Sequence, residues 1–580
     1  MEDCNFISNN GKWGGAISWS GANGCVIGST FIDNIGQVNS GAIQWNGVKG
    51  TLTGSSFIGN SVIGTDGGAI AWYGANGNLS NSIFTGNSAK NVGGAISWGG
   101  VNGTLTGSTF INNTGNAYSG AVFWGGNDGT LTNSSFTSNT ATGIHGGAIA
   151  WYGSNGNLSN SNFTSNAANW GGGAIFWTGT NGSLISSIFT NNVAPNVGGA
   201  VFWTGANSNM LDCKFTGNNA PRGDNVYWTW TVDAFLNKYT QINDYDYIEI
   251  KNGVGTPSHT IVLNKKGIII SSQGNVTFDA KGGNVHFEVT GNDILIEKIT
   301  FRNFNFTTGD GWGGAILWMG NNGILRNCNF INNTAGYGGS VYWDGANGAV
   351  ISSTFRNNNG VRGGSIWWNG TNGNVTSSTF NNNSVSRYGA GIYWDGANGK
   401  LTDSTFINNI ASRYSGGAVR WNGEKGTINR CIFNNNTASV SGGGILWNGA
   451  NGAVIDSTFI DNTATNGGAI CWNNISGSMN NCIFNNKWIK TNGIYSNYDL
   501  IINGGTGIVD IFANTTISGT SIIILNNETY YYPPNSNINF VKRASEKLDG
   551  IYATEGLTSN GRNDTVYVCQ YHPSVLLSCF

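Results

Sequence analysis

Apolar and polar positions in this chain fall into short runs that recur at a fixed interval. The unit is clearest from Gly67 to Asn87, GGAIAWYGANGNLSNSIFTGN. Ile70 and Trp72 flank one residue, Asn76-Gly77 follows as a turn signal, and then come Leu79, Ser82, Phe84 and Asn87. The Trp recurs at Trp19, Trp45, Trp72, Trp98, Trp124, Trp151, Trp177 and Trp203, and again at Trp318, Trp343, Trp368, Trp394, Trp421, Trp447 and Trp472, always in steps of 25 to 27. A Phe marker runs in phase from Phe31 to Phe215 and from Phe330 to Phe484. A fixed period of this size signals a solenoid, propeller or array. No window carries a helical period, and the Gly/Asn-rich unit with short β-branched and aromatic runs reads as strands and turns. A propeller blade needs about 40 residues. The predicted fold is therefore all-β, a parallel β-helix (β-solenoid) with coils of about 26 residues.

Each repeat position has a structural reading. The Ile position stays aliphatic (Ile70, Ile96, Val122, Ile149, Ile175, Val201), as expected of an interior where equivalent residues stack about 4.8 Å apart. The paired glycines before it allow a tight corner. Asn-Gly pairs such as Asn23-Gly24, Asn76-Gly77 and Asn347-Gly348 supply positive φ for a turn. The Asn after each Phe, as at Asn60, Asn87, Asn113 and Asn139, is expected to form a side-chain amide ladder. Whether the repeat Trp faces in or out stays open at this stage.

The spacing divides the chain into a first repeat block over 1–226, an irregular strand-rich segment over 227–310 that starts a second β-helix, a second block over 311–490, and a degenerate β-rich segment over 491–580. Trp228 and Trp230 read as out of phase. The N-terminal MEDCNFISNN has no basic or long apolar stretch and matches the second half of a repeat, so the expectation is a fragment of a longer surface protein or a misplaced start. With 10% charged residues and a net charge of −2, the chain lacks the basic footprint of a nucleic-acid binder. Aromatics in register exclude disorder, and no apolar run is long enough to span a bilayer.

The chemistry on offer is sparse. Five of the 9 cysteines (Cys4, Cys213, Cys328, Cys431, Cys482) stand two residues before the repeat Phe, where other coils carry Ser. They read as small rung residues. Cys431 and Cys482 lie two coils apart, about 9–10 Å, beyond disulfide reach. No metal site or cofactor is expected. His145, His259, His286 and His572 are scattered. Asp344 and Asp395 share one repeat position two coils apart, with Asn369 between them. At about 10 Å such a pair could flank a glycosidic bond with an intervening water, although the same turn elsewhere carries Asn, Gly, Tyr, Ser or Thr.

One pattern points to binding. In Ile-x-Trp, if Ile faces in, x faces out. Gln44 and Arg420 at x argue for exposure. The same position carries Tyr342, Trp367 and Tyr393 on successive coils, and Phe123, Phe176 and Phe202 in the first block. Such a stripe is suited to stacking on sugar rings or an apolar partner, unless the rings cover one another or a loop covers them.

The Gly-Gly-Ala-Ile and Phe-x-x-Asn elements, in about fifteen phased copies, resemble the repeats of polymorphic outer-membrane proteins, and still more those of methanogen adhesin-like surface proteins. The likeness covers about three quarters of the chain. It implies a right-handed parallel β-helix displayed outside the cell or on its surface. It also implies non-catalytic attachment to glycans or surface proteins of other cells. Two features depart from it: a secretion signal and an autotransporter barrel are not recognisable. Asn-x-Ser/Thr triplets starting at Asn78, Asn112, Asn157, Asn374 and Asn514 are compatible with glycosylation. The alternatives are a polysaccharide lyase or hydrolase on the same scaffold, and a passive stalk of a larger surface protein.

Overall fold

The computed structural model describes residues 1–307, 311–473 and 477–485, and beyond these the backbone of short strands between Ile494 and Asn563. Most of the expected degenerate segment, 491–580, lies outside the described residues. The chain forms two compact units. One comprises Met1–Lys251 with Lys265–Gln273, the other Asn252–Asn264 with Gly274–Phe580. The segment 227–310 is thus shared between them.

Both units are parallel β-solenoids. A representative coil runs through four short strands, Ile70–Trp72, Asn78–Ser80, Ile83–Thr85 and Ser88–Ala89. They are called here the Trp, Leu, Phe and linker strands. Each pairs in parallel and in register with its equivalent one coil on: Ile70 with Ile96, Leu79 with Leu105, Phe84 with Phe110, Ala89 with Gly115.

The interior is built of columns of identical residues. Ile70, Trp72, Leu79 and Phe84 are fully buried. Two-residue alternation then puts Trp inside together with Ile. From Trp45 to Trp203 the rings stack at 4.5–4.8 Å with planes within 10°. From Trp318 to Trp472 they stack at 4.4–5.0 Å. The strand spacing brings these large rings to van der Waals contact along the whole column.

The turn explains why Gly follows Asn. Asn76 takes φ 56°, the left-handed turn position, whereas a Cβ on Gly77 would stand 2.3 Å from the Trp72 indole nitrogen. The Asn makes the bend and the Gly makes room for the ring. At the paired-glycine corner, a Cβ on Gly68 would lie 1.9 Å from the Gly94 carbonyl of the next coil.

Two polar ladders seal the corners beside the Phe strand. Asn113 Oδ1 accepts from the backbone and side-chain N–H of Asn87, both at 3.0 Å. Its Nδ2 donates to Phe84 O at 2.9 Å and to Asn139 Oδ1 at 2.9 Å. The same pattern runs from Asn34 to Asn218 and from Asn358 to Asn462. The Ser before the Phe forms the second ladder: Ser108 Oγ accepts from Ser82 N–H at 3.1 Å and donates to Thr106 O. Cys431 occupies this position with its thiol on Leu401 O and Asn429 O, each near 3.5 Å. Burial pushes that thiol up to about 12, so it acts as a rung and not a nucleophile.

Trp228 corrects one expectation. It is in phase: it pairs with Trp203 and stacks on it at 5.4 Å. Only Trp230, two residues on, leaves the column. A helix at Val232–Lys238, capped by the Thr231 hydroxyl accepting from Ala234 N–H, then follows in the first unit. Buried Asp246 accepts from Val226 N–H and from the Trp228 indole at 2.9 Å, bonds absent from regular coils. In the second unit, Ile261–Leu263 and Phe287–Val289 line up in register ahead of Ile316–Trp318.

Candidate functional site

The linker between the ladder Asn and the glycine corner is the one part of the coil that changes from copy to copy. It holds six residues in Asn60–Gly67 and four in Asn333–Gly338 and Asn358–Gly363. Its path decides what becomes of the outward x position of the Trp strand.

In the first unit the linkers fold over that position. Phe123 is half-buried, but Phe176 and Phe202 are only 6% and 8% exposed. His145 stacks on Phe176 at 4.1 Å, Trp170 lies 5.5 Å from Phe202, and Tyr227 meets Phe202 edge-on at 5.2 Å. Tyr118 and Tyr152 close over Phe123. The expected exposed stripe is here a small outer core. The alternation correctly aimed the rings out of the coil, and the linkers then covered them. Gln44, taken as a sign of exposure, is itself only 8% exposed. Burial between these rings lowers the His145 pKa to about 4.

The second unit is more open. Tyr342, Trp367 and Tyr393 stand on consecutive coils in register, followed by Arg420. Tyr342 and Trp367 are half-buried, whereas Tyr393 is 6% exposed, which corrects the expectation for that ring. It is covered because Arg420 lies over it at 5.3 Å and Asn422 Nδ2 donates to its hydroxyl at 3.0 Å.

A second file of side chains lies beside these, each directly before the glycine corner: Trp312, Tyr337, Arg362 and Tyr388. Trp312 is 43% exposed and stacks on Tyr342 at 5.4 Å. Tyr337 meets Trp367 edge-on at 4.7 Å. Tyr414 is exposed and lies 5.2 Å from Tyr388. Sequence reading missed this file because its residue type changes from coil to coil, although each member stands six residues before the repeat Trp. The available signal was an aromatic or Arg immediately preceding Gly-Gly or Gly-Ala-Gly.

On the other side runs a polar file. Asn369 Nδ2 donates to Asp344 Oδ1 at 2.5 Å. Asp395 accepts from the Trp367 indole at 2.9 Å and from Asn422 Nδ2 at 2.7 Å. Asn448 Nδ2 continues the chain to Asn422 Oδ1. Burial raises the Asp395 pKa, opposed by the bonds from Asn422 and Trp367. Beyond the aromatic files, the linkers border an open groove of about 490 Å³ lined by Ala335, Gly360, Val361, Val385, Ser386 and Ser412.

The face therefore combines flat rings, half exposed, with carboxylate and amide groups held in place by neighbouring coils. Such a surface can stack on and hydrogen-bond a polyhydroxylated chain.

The family model of the Chlamydia polymorphic membrane protein repeat matches residues 430–446 and 456–471, both in the second unit. Among curated proteins none matches the chain by sequence. Similar solved structures include PfbA, a surface adhesin of Streptococcus pneumoniae, at 13% identity and TM-score 0.29, covering 51% of this chain and 89% of that one. Another is the tailspike protein of E. coli bacteriophage HK620 in complex with a pentasaccharide, at 10% identity and TM-score 0.24, covering 93% and 83%.

Proposed function

We propose that this protein is an adhesin-like β-solenoid, displayed outside the cell or on its surface, that attaches to glycans or to the surface of partner cells without chemical turnover. The observation that carries this reading is the second-unit face, where Trp312, Tyr342 and Trp367 present ring surface beside the Asp344–Asn369–Asp395–Asn422 file. The polymorphic membrane protein repeat at 430–446 and 456–471 supports surface display. The test is a glycan-array screen of the whole chain beside a Trp312→Ala/Trp367→Ala variant with unchanged circular dichroism. Retained glycans that are lost in the variant are the expected result. Equal binding by both proteins, or by neither, overturns the reading.

One observation favours hydrolysis or lyase chemistry on the same face. Asp395 is a carboxyl group whose pKa burial raises, two coils from Asp344, as a general acid would require. Both carboxylates are, however, occupied by bonds to neighbouring side chains. Release of new reducing ends from polysaccharide, lost in Asp395→Asn, would establish that alternative.

A further inference from the structure

Basic residues are distributed very unevenly along this chain. There is no arginine before Arg222, yet six lie between Arg356 and Arg430. Positions 341–430 hold eight basic against four acidic residues, in a chain whose net charge is −2. Four of these arginines sit on the face described above. Arg362 has its guanidinium 5.9 Å from the Tyr337 ring and 5.8 Å from the Trp367 ring, and its Nε is buried with no hydrogen-bond partner. Arg420 lies 3.9 Å over Tyr388 and is held by Nε donating to Asn422 Oδ1 at 3.1 Å. Arg387 and Arg413 are exposed and belong to a repeated Ser-Arg-Tyr element, Ser386–Tyr388 and Ser412–Tyr414. The preceding residues of these two linkers pair in register, and the two Tyr rings lie 5.2 Å apart. Among the described residues none of the four makes an ion pair, whereas Arg430, on another side of the coil, is paired with Asp403 at 2.6 Å.

Arg362, Arg387 and Arg413 each follow a groove-lining residue, Val361, Ser386 and Ser412. Arg362, Arg387 and Arg413, on successive coils and each without an ion pair, thus stand directly beside groove-lining residues, and Arg362 and Arg420 stack on the rings near the Asp395 carboxylate. Guanidinium forks are suited to carboxylate and sulfate groups, and rings to the apolar faces of sugars. We propose that the second unit binds an anionic polysaccharide along the coil axis, with successive acidic groups on Arg362, Arg387, Arg413 and Arg420 and sugar faces on Trp367, Tyr388 and Tyr414. A sugar residue in an extended chain is about as long as one coil is high, so charges can meet arginines coil by coil. The proposal rests on the attachment reading above and narrows its ligand class.

The test measures binding of the whole chain to polygalacturonate, dextran sulfate, neutral dextran and polyphosphate, with Arg387→Gln/Arg413→Gln as the variant. Both side chains are exposed and unpaired, so the variant keeps its fold. Expected is preference for an acidic polysaccharide over dextran, weakened by salt and at least tenfold weaker in the variant. The tighter of polygalacturonate and dextran sulfate identifies carboxylate or sulfate as the recognised group. Unchanged affinity in the variant, or polyphosphate binding as tightly as the acidic sugars, overturns the proposal. Binding to dextran alone overturns it while leaving the attachment reading intact. Binding to none of the four overturns the proposal and, joined to an empty glycan array, the attachment reading as well.

Discussion

At the residue scale, two ladder positions make sharp predictions. Asn113 satisfies four hydrogen bonds at a fully buried site, two as acceptor and two as donor. Asn113→Ala strands the Asn87 N–H without an acceptor, and should cost about 2–4 kcal/mol in urea denaturation of the first unit. The glycines separate two roles that look alike in sequence. Gly77→Ala drives a Cβ into the Trp72 ring and should cost about 1–3 kcal/mol by overpacking. Gly86→Ala, at φ +62° with nothing within 4 Å, meets only the left-handed backbone and should cost about 1 kcal/mol. Equal losses at the two sites would refute the assignment of Gly77 to ring packing. The ladder was legible beforehand because one Asn recurs after every Phe. The need for Gly77 was not, because Asn-Gly reads as a turn pair until the Trp beneath it is seen.

At the element scale, the linker is the variable. In the first unit it brings His145 against Phe176 and Trp170, and desolvation lowers the imidazole pKa from 6.5 to about 4. The folded state then resists a proton that the unfolded chain accepts. Stability is thus fully present above about pH 6.5 and declines as pH falls towards about 4. His145→Phe, which keeps the stacking ring, should flatten that part of the stability–pH profile in chemical denaturation. An unchanged slope would remove His145 from the account. Of the six aromatics singled out in the sequence, the alternation placed all on the outer side of the Trp strand. It could not tell Trp367, half exposed, from Phe176 or Tyr393, covered. Cover comes from linker side chains such as Trp170, whose identity changes from coil to coil, and from Arg420, which holds the same x position one coil on.

At the scale of the whole molecule, each solenoid unit is a stack in which the strands of a coil pair only with those of adjacent coils, so stability is approximately a sum over nearest-neighbour interfaces. Removal of one complete coil from the first unit, 104–129, joins Gly103 to Thr130, the register equivalent of Thr104. The shortened protein should keep its β-sheet circular dichroism and a cooperative transition. Removal of half that length misaligns every column above the cut and should abolish both. Loss of fold on removing the complete coil would contradict the nearest-neighbour picture.

The sequence by itself determined the period, the strands, the interior columns and the amide ladder. In a solenoid the partner of a residue is its own equivalent one repeat away, so pairing is written directly into the spacing. Tertiary structure alone decided that Trp lies inside, that linkers cover one aromatic set and leave another half open, and that Arg362, Arg387, Arg413 and Arg420 share one face. These depend on contacts around a coil, between strands of different type. They also depend on linkers of four to six residues whose path no periodicity specifies.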